Sequence, residues 1–444
     1  MRLQRFGVVT GLGMVTALAS FGLAQVAAGS VRLTVILVVL AVLATLALHR
    51  PVVVAIAALL AVFDVQRLGG ASSAAGSSGG VSYSDAALAI ASVIALPAVV
   101  RLRALGPLRL PLIGVLAYMG ALLPSVILNQ STRADVEWFH KLVLVGGSLI
   151  VGAWIRREGK ARTALRWLVG VGVVVAVLTI EKGAQSGFSG PAAPLWMNKN
   201  FVGAILCDVI VLTVVAGHTL ELRPRVRWAA TLLMAGGALA AQSRGSLVAA
   251  GIGLFLAAML AGRVKSRASR VAALLIAVGL GYVAYASVHT QLNASQQDFN
   301  NGSLGVRYNV EHVTQEIWRT SPMFGVGMKY FNSGVYGPQA QAPNNVIDNE
   351  LAESGVVGAL GFVFMECCII GTGLARRRDG DLVIAATAVA FGDVAHGMVD
   401  IYWSAGVAAL PFVLLGMALA DSPEASEDQP KINLSTRSST VSIR

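Results

Sequence analysis

Apolar runs of helical length recur from about residue 7 to residue 420, and every second gap between them is rich in arginine. A bilayer core about 30 Å thick takes about 20 apolar residues of helix to cross. Lipid offers the backbone no hydrogen-bonding partner, so such segments fold as helices. The pattern predicts an all-α, polytopic membrane protein with about 14 transmembrane helices, roughly 12 to 14. They are placed near 7–27, 33–48, 51–63, 85–100, 108–128, 138–155, 164–181, 199–217, 226–241, 246–262, 271–288, 346–374, 380–399 and 404–420.

Composition excludes the soluble alternative. The chain is 55% hydrophobic and 13% charged, against about 25% charged for a soluble domain. The net charge of +11 would suit a nucleic-acid partner only if it were gathered in a patch. Instead the Lys and Arg sit at the start (Arg2, Arg5), in alternate short gaps such as 101–109, 156–166, 223–227, 263–270 and 376–378, and in the tail. That is the positive-inside distribution, and it places both termini in the cytoplasm of a plasma-membrane protein. No nucleic acid is expected. The first apolar stretch, about 20 residues, is long for a signal region and reads as an uncleaved helix. Cys207, Cys367 and Cys368 lie within apolar runs and read as packing residues.

The expected organisation is a single transmembrane domain over 1–420 and a disordered cytoplasmic tail over 421–444. The gaps between the basic ones differ in character. Gly69–Ser84 is a Gly/Ser connector, 182–198 holds Gly, Pro and Trp196, and 289–345 is a large extracytoplasmic loop whose stretch 305–320 has helical spacing. No internal repeat is visible.

Ten Lys or Arg stay on the outer side against the bias, and three adjoin polar clusters. Asn198-Lys199-Asn200 opens the helix over 199–217, where a cation and two amides suit a phosphate or sugar hydroxyls; the plain alternative is an interfacial cap. Gln242-Ser243-Arg244-Gly245-Ser246 is a tight turn that fixes an arginine for bidentate phosphate capture, or simply anchors a lipid head group. Arg307, Glu311, His312, Glu316 and Arg319 share the helical stretch of the large loop at spacings of three and four, which ordinary surface ion pairs also satisfy. Asp393, His396 and Asp400 lie on one face of the helix over 380–399. Ionisable residues in membrane helices are costly and therefore functional candidates.

The order of these features resembles the O-antigen ligase and polymerase superfamily. It is carried by Asn200, Phe201 and Gly203 in one helix, the Ser243-Arg244-Gly245 turn, Arg307 opening a helix, Pro322 to Gly327, and then Asn345, Glu353 and Gly355. The resemblance covers about 195–400 and implies glycosyl transfer on the outer membrane face from a glycan carried on a polyprenyl diphosphate. It implies that Arg244 and Arg307 bind the diphosphate, with Lys199, Asn200 and Ser243 assisting. Asn344, Asn345, Asp348 and Glu353 would line the acceptor side, supported by His396 and Asp400. The partners implied are the lipid-linked donor, a glycan or lipid acceptor, membrane lipid and the polysaccharide export machinery. No cofactor or metal is implied.

One departure bears on mechanism. Ligases of the family carry a His before the Asn that starts the helix over 346–374, whereas Asn344 stands here. An amide is no general base, so Asp348, His312 or Glu353 would serve, or departure of the diphosphate would dominate. Against the lipid-A-core ligase role, this favours a polymerase or a ligase with another acceptor. A lipid-linked glycan flippase or other multi-pass transporter is the rival reading, and a non-catalytic envelope scaffold a third.

Overall fold

The computed structural model describes residues 51–61, 82–101, 106–194, 197–261, 303–332, 342–400 and 406–420, with a few isolated positions between 271 and 282. The helices expected over 7–27 and 33–48, most of the one over 271–288, parts of the large loop and the tail lie outside these residues. The described part is all-α. In chain order its helices are α1 (Val52–Ala61), α2 (Tyr83–Arg101), α3 (Arg109–Leu128), α4 (Thr132–Arg157), α5 (Ala161–Gln185), α6 (Lys199–Val215), α7 (Pro224–Ala241), α8 (Arg244–Leu260), α9 (Ser303–Thr320), α10 (Val346–Ala375), α11 (Asp381–Gly397) and α12 (Leu410–Leu419). Four of them, α3, α4, α5 and α10, are long and apolar enough to cross a membrane. The outward-facing leucines of α3 and α7, such as Leu116 at 68% exposure and Leu232 at 70%, suit contact with lipid.

Local chemistry sets the helix starts. Ser131 Oγ accepts from Ala134 N at 3.1 Å, Asn198 Oδ1 from Asn200 N at 2.8 Å, and Asn345 Oδ1 from Ile347 N at 2.9 Å. Each satisfies a first-turn amide that would otherwise lack a partner. The Ser131 cap starts α4 at Thr132, six residues before the expected start at 138. Its polar first turns read as loop in the sequence, yet they form helix because Glu137 and Lys141 are buried against charged partners. A π-helical turn, Val143–Gly147, follows Lys141 and resets the face that the rest of α4 presents.

Small residues set the helix spacing, as expected where lipid removes the hydrophobic drive between helices. A Cβ on Gly253 would lie 2.9 Å from Ala388 O, and one on Gly392 would lie 2.8 Å from Ala249 O, so α8 and α11 are in backbone contact. Gly152 and Gly416 join α4 and α12 in the same reciprocal way. One group of packed helices contains α2, α3, α4 and α10; another contains α5, α6, α7, α8 and α11; α12 touches both α4 and α11. Within the second group α6 is enclosed, with every residue from Val202 to Thr213 buried. A helix apolar on all sides belongs there.

The longest helix, α10, is broken. Gly355 has φ 69° and ψ −172°, a region open essentially to glycine alone. The amides of Val356 and Val357 turn away from their own helix and donate to Pro322 O at 2.9 Å and Met323 O at 3.2 Å. The carbonyls freed on the other side, Ala352 O and Glu353 O, accept from Val326 N at 2.9 Å and Gly327 N at 3.1 Å. The strap 322–327 thus replaces four helical partners with four of its own. A Cβ on Gly325 or on Gly355 would strike the opposing backbone. Gly355→Ala is expected to cost at least ~1–3 kcal/mol from backbone strain alone, read as a lower midpoint of thermal unfolding in detergent.

Candidate functional site

Two polar clusters lie among the packed helices. The first gathers at the starts of α6 and α8 and the end of α11. Asp400, just past α11, accepts from Asn200 Nδ2 at 3.0 Å, and its other oxygen lies 3.8 Å from His396 Nε2. Ser246 Oγ reaches His396 Nε2 at 3.4 Å and Ser243 Oγ at 2.7 Å. Gly245 permits this closeness, since a Cβ there would lie 2.9 Å from His396 Cδ2. His396 and Asp400 are 2% and 5% exposed. From α9, Arg307 Nη1 donates to Val399 O at 2.6 Å, and Nη2 stands 3.9 Å from Asp400 Oδ2.

Arg244 and Lys199 are the first residues of α8 and α6, which pack together. Arg244 is half-buried and Lys199 exposed. Neither pairs with a carboxylate among the described residues. A cation at a helix N-terminus opposes the helix dipole, at about 0.3–1 kcal/mol each. Together with Arg307 they place positive charge beside a cluster in which Asp400 is already shared with Asn200 and His396. Such a place accepts an anion through guanidinium groups and first-turn amides.

The second cluster lies between α2, α3, α4, α10 and the segment after the strap. Lys141 is 4% exposed and is paired with Glu350. Tyr118 Oη donates to the same Glu350 oxygen at 2.9 Å and accepts from Lys141 Nζ at 3.0 Å, and Ser354 Oγ donates to the other Glu350 oxygen at 2.9 Å. Glu137 pairs with Lys329 at 3.1 Å, and His140 lies 3.1 Å from Glu137 and 3.2 Å from Asp85. Buried charges persist in such surroundings only when paired in this manner. Glu353 belongs to this cluster at 4% exposure, with Asn349 Nδ2 at 3.4 Å from its carboxylate.

Of the residues singled out in the sequence, Asn200, Ser243, Arg307, His396 and Asp400 therefore converge, with Arg244 and Lys199 beside them. Glu353 sits in the second cluster. Asp348 is half-buried on α10 within electrostatic reach of Glu311, Asn344 is half-buried, and Asn345 serves as the cap of α10. His312 is exposed, 64% at its side chain, and its partner is Glu316 at 3.5 Å. Sequence reading missed Tyr118, Glu137, His140 and Glu350. The one available signal was the spacing of Glu137, His140 and Lys141, three and four apart on one helix face leading into an apolar run.

Residues 229–363 match the family model described as O-antigen ligase, which supports membership of that family. The matched span runs from α7 into α10 and includes Ser243, Arg244, Arg307, Asp348 and Glu353, while Lys199, Asn200, His396 and Asp400 lie outside it. No curated protein matches the chain.

Removal of one partner from a buried pair leaves an uncompensated charge. Lys141→Ala is expected to destabilise the protein by about 3–5 kcal/mol, and the double variant Lys141→Met/Glu350→Gln to recover much of that loss. Unfolding midpoints of the purified variants in detergent check both.

Proposed function

We propose, with membership of the O-antigen ligase family as the premise, that this chain transfers or polymerises glycan from a polyprenyl-diphosphate-linked oligosaccharide. The reaction would take place on the outer face of a bacterial plasma membrane, with both termini in the cytoplasm, during assembly of surface polysaccharide. The observation that carries this reading is the side-by-side start of α6 and α8 with Lys199 and Arg244, neither paired to a carboxylate among the described residues, next to Arg307. Three cations beside a carboxylate that is already shared form a receptor for a multiply charged anion, and a diphosphate is the anion that a family of lipid-linked glycan enzymes handles.

The chemistry follows from where charge develops. As the anomeric C–O bond breaks, negative charge accumulates on the departing diphosphate. Guanidinium groups already held in place stabilise that charge without reorganising at the moment of reaction. Arg307 is held by the Val399 carbonyl and Asp400, and Arg244 by its place in the first turn of α8. Asn200, Ser243, Ser246 and His396 offer neutral partners for phosphate or sugar oxygens, with Asp400 orienting Asn200. The half of the site on and just before α10, with Asp348, Glu353 and Asn344, is left for the acceptor. No cofactor enters this scheme, in which side chains and first-turn amides meet the charge on the diphosphate.

Loss of one positioned donor of this kind typically costs ~3 kcal/mol, about a hundredfold in rate. Arg244→Ala and Arg307→Ala are each expected to lower transfer by about that factor or more. The measurement is product formation by purified protein in detergent with a lipid-diphosphate oligosaccharide and candidate acceptors. Wild-type rates in both variants would refute the clamp.

A further inference from the structure

We propose that Glu353 is the group that takes the proton from the acceptor hydroxyl, and that Lys141 and Lys329 position it through their pairs with Glu350 and Glu137. The proposal rests on the glycosyl-transfer reading above and names the acceptor-side chemistry of that enzyme. It arises from an uneven pairing in the second cluster. Four carboxylates are buried there, and three have a basic partner at salt-bridge distance: Glu350 has Lys141, Glu137 has Lys329 and Asp85 has His140. Glu353 has none among the described residues. Its only side-chain hydrogen bond there is the long one from Asn349, at 3.4 Å. A buried carboxylate without a cation is costly to keep, and such costs gather where a proton must be moved.

The backbone at Glu353 is anchored from outside its own helix. The Glu353 carbonyl accepts from Ser125 Oγ at 2.6 Å and from Gly327 N at 3.1 Å, two residues before the break at Gly355. It is thereby held at once by α3, by the strap and by its own helix. Lys141 and Lys329 are the cations within its electrostatic reach, and each is held in turn by a second carboxylate. The two other candidates are placed less well. His312 is exposed beside Glu316, and Asp348 is half-buried and faces the like charge of Glu311.

In the step, the acceptor O–H gives its proton to the Glu353 carboxylate. The acceptor oxygen forms a bond to the anomeric carbon as the bond from that carbon to the diphosphate oxygen breaks. The electron pair of the broken bond leaves with the diphosphate, and Glu353 later returns its proton to water. This assigns the donor to the cluster at α6, α8 and α11, and the acceptor to α3, α4 and α10. The helix α9 joins the two, with Arg307 at one and Ile317 packed against Ala352 at the other.

The test uses the full chain in detergent, with transfer and polyprenyl diphosphate binding measured side by side. Glu353→Gln is expected to lower transfer at least about a hundredfold with diphosphate binding unchanged, and Glu353→Asp to restore part of it. Lys329→Gln should lower kcat without moving the donor KM, and Lys329→Arg should restore it, which a purely structural pair would not separate. Transfer by Glu353→Gln within threefold of wild type overturns the proposal. If that variant does not fold, wild-type kcat in both Glu353→Asp and Lys329→Gln overturns it instead. Absence of transfer by the wild-type protein itself would overturn the enzyme reading, an outcome distinct from either.

Discussion

Inside lipid a helix that breaks must find new partners for every backbone group it releases, because each one left bare costs several kcal/mol. In this protein α10 breaks at Gly355 and the strap 322–327 supplies all four replacements. Much else hangs on that exchange. It fixes the end of α9, since Trp318 donates to Pro322 O at 3.2 Å at the start of the strap. It also sets Lys329, just beyond the strap, within reach of Glu137, and it anchors the backbone of Glu353 next to the break. A discontinuous helix with polar groups at the gap is the arrangement by which membrane proteins bring ionisable chemistry into an apolar interior.

The two polar clusters obey different rules. Around Asn200, Arg244 and Arg307, positive charge exceeds negative and two helices begin with cations against their own dipoles. That arrangement is unfavourable in isolation and suited to an anionic ligand. Around Lys141 and Glu350, charges are matched nearly one for one and are deeply buried, so they specify how α3, α4 and α10 meet. The exception within the matched set, Glu353, is the residue to which chemistry is assigned. Under the proposed reaction, the excess of one sign in the first cluster would serve the donor and the unmatched carboxylate in the second the acceptor.

Much of the first cluster was legible in advance. Cations that defied the positive-inside bias pointed to Lys199, Arg244 and Arg307, and intramembrane ionisable residues pointed to His396 and Asp400. Of the second cluster only Glu353 was. Little in the local sequence singles out Lys141 or Lys329, because the partners that give them meaning lie far away in the chain. Lys141 meets Glu350 across 209 positions, and no periodicity links them. His312 shows the converse. Its place on a polar helix drew attention, yet the helix turns it outward to Glu316.

Among the described residues, the sequence by itself determined which segments are helices and, α4 apart, roughly where they start and stop. Apolar length, Asn and Ser caps and arginine-rich gaps are local properties, and a lipid surrounding leaves the backbone few alternatives to a helix. Only the tertiary structure decided which charges meet, which helix is enclosed and where α10 breaks. Those outcomes depend on glycine-mediated approach between distant helices, such as Gly253 with Ala388 and Gly392 with Ala249. They depend equally on the cost of burying a charge, which a side chain escapes only once its partner from another helix has arrived.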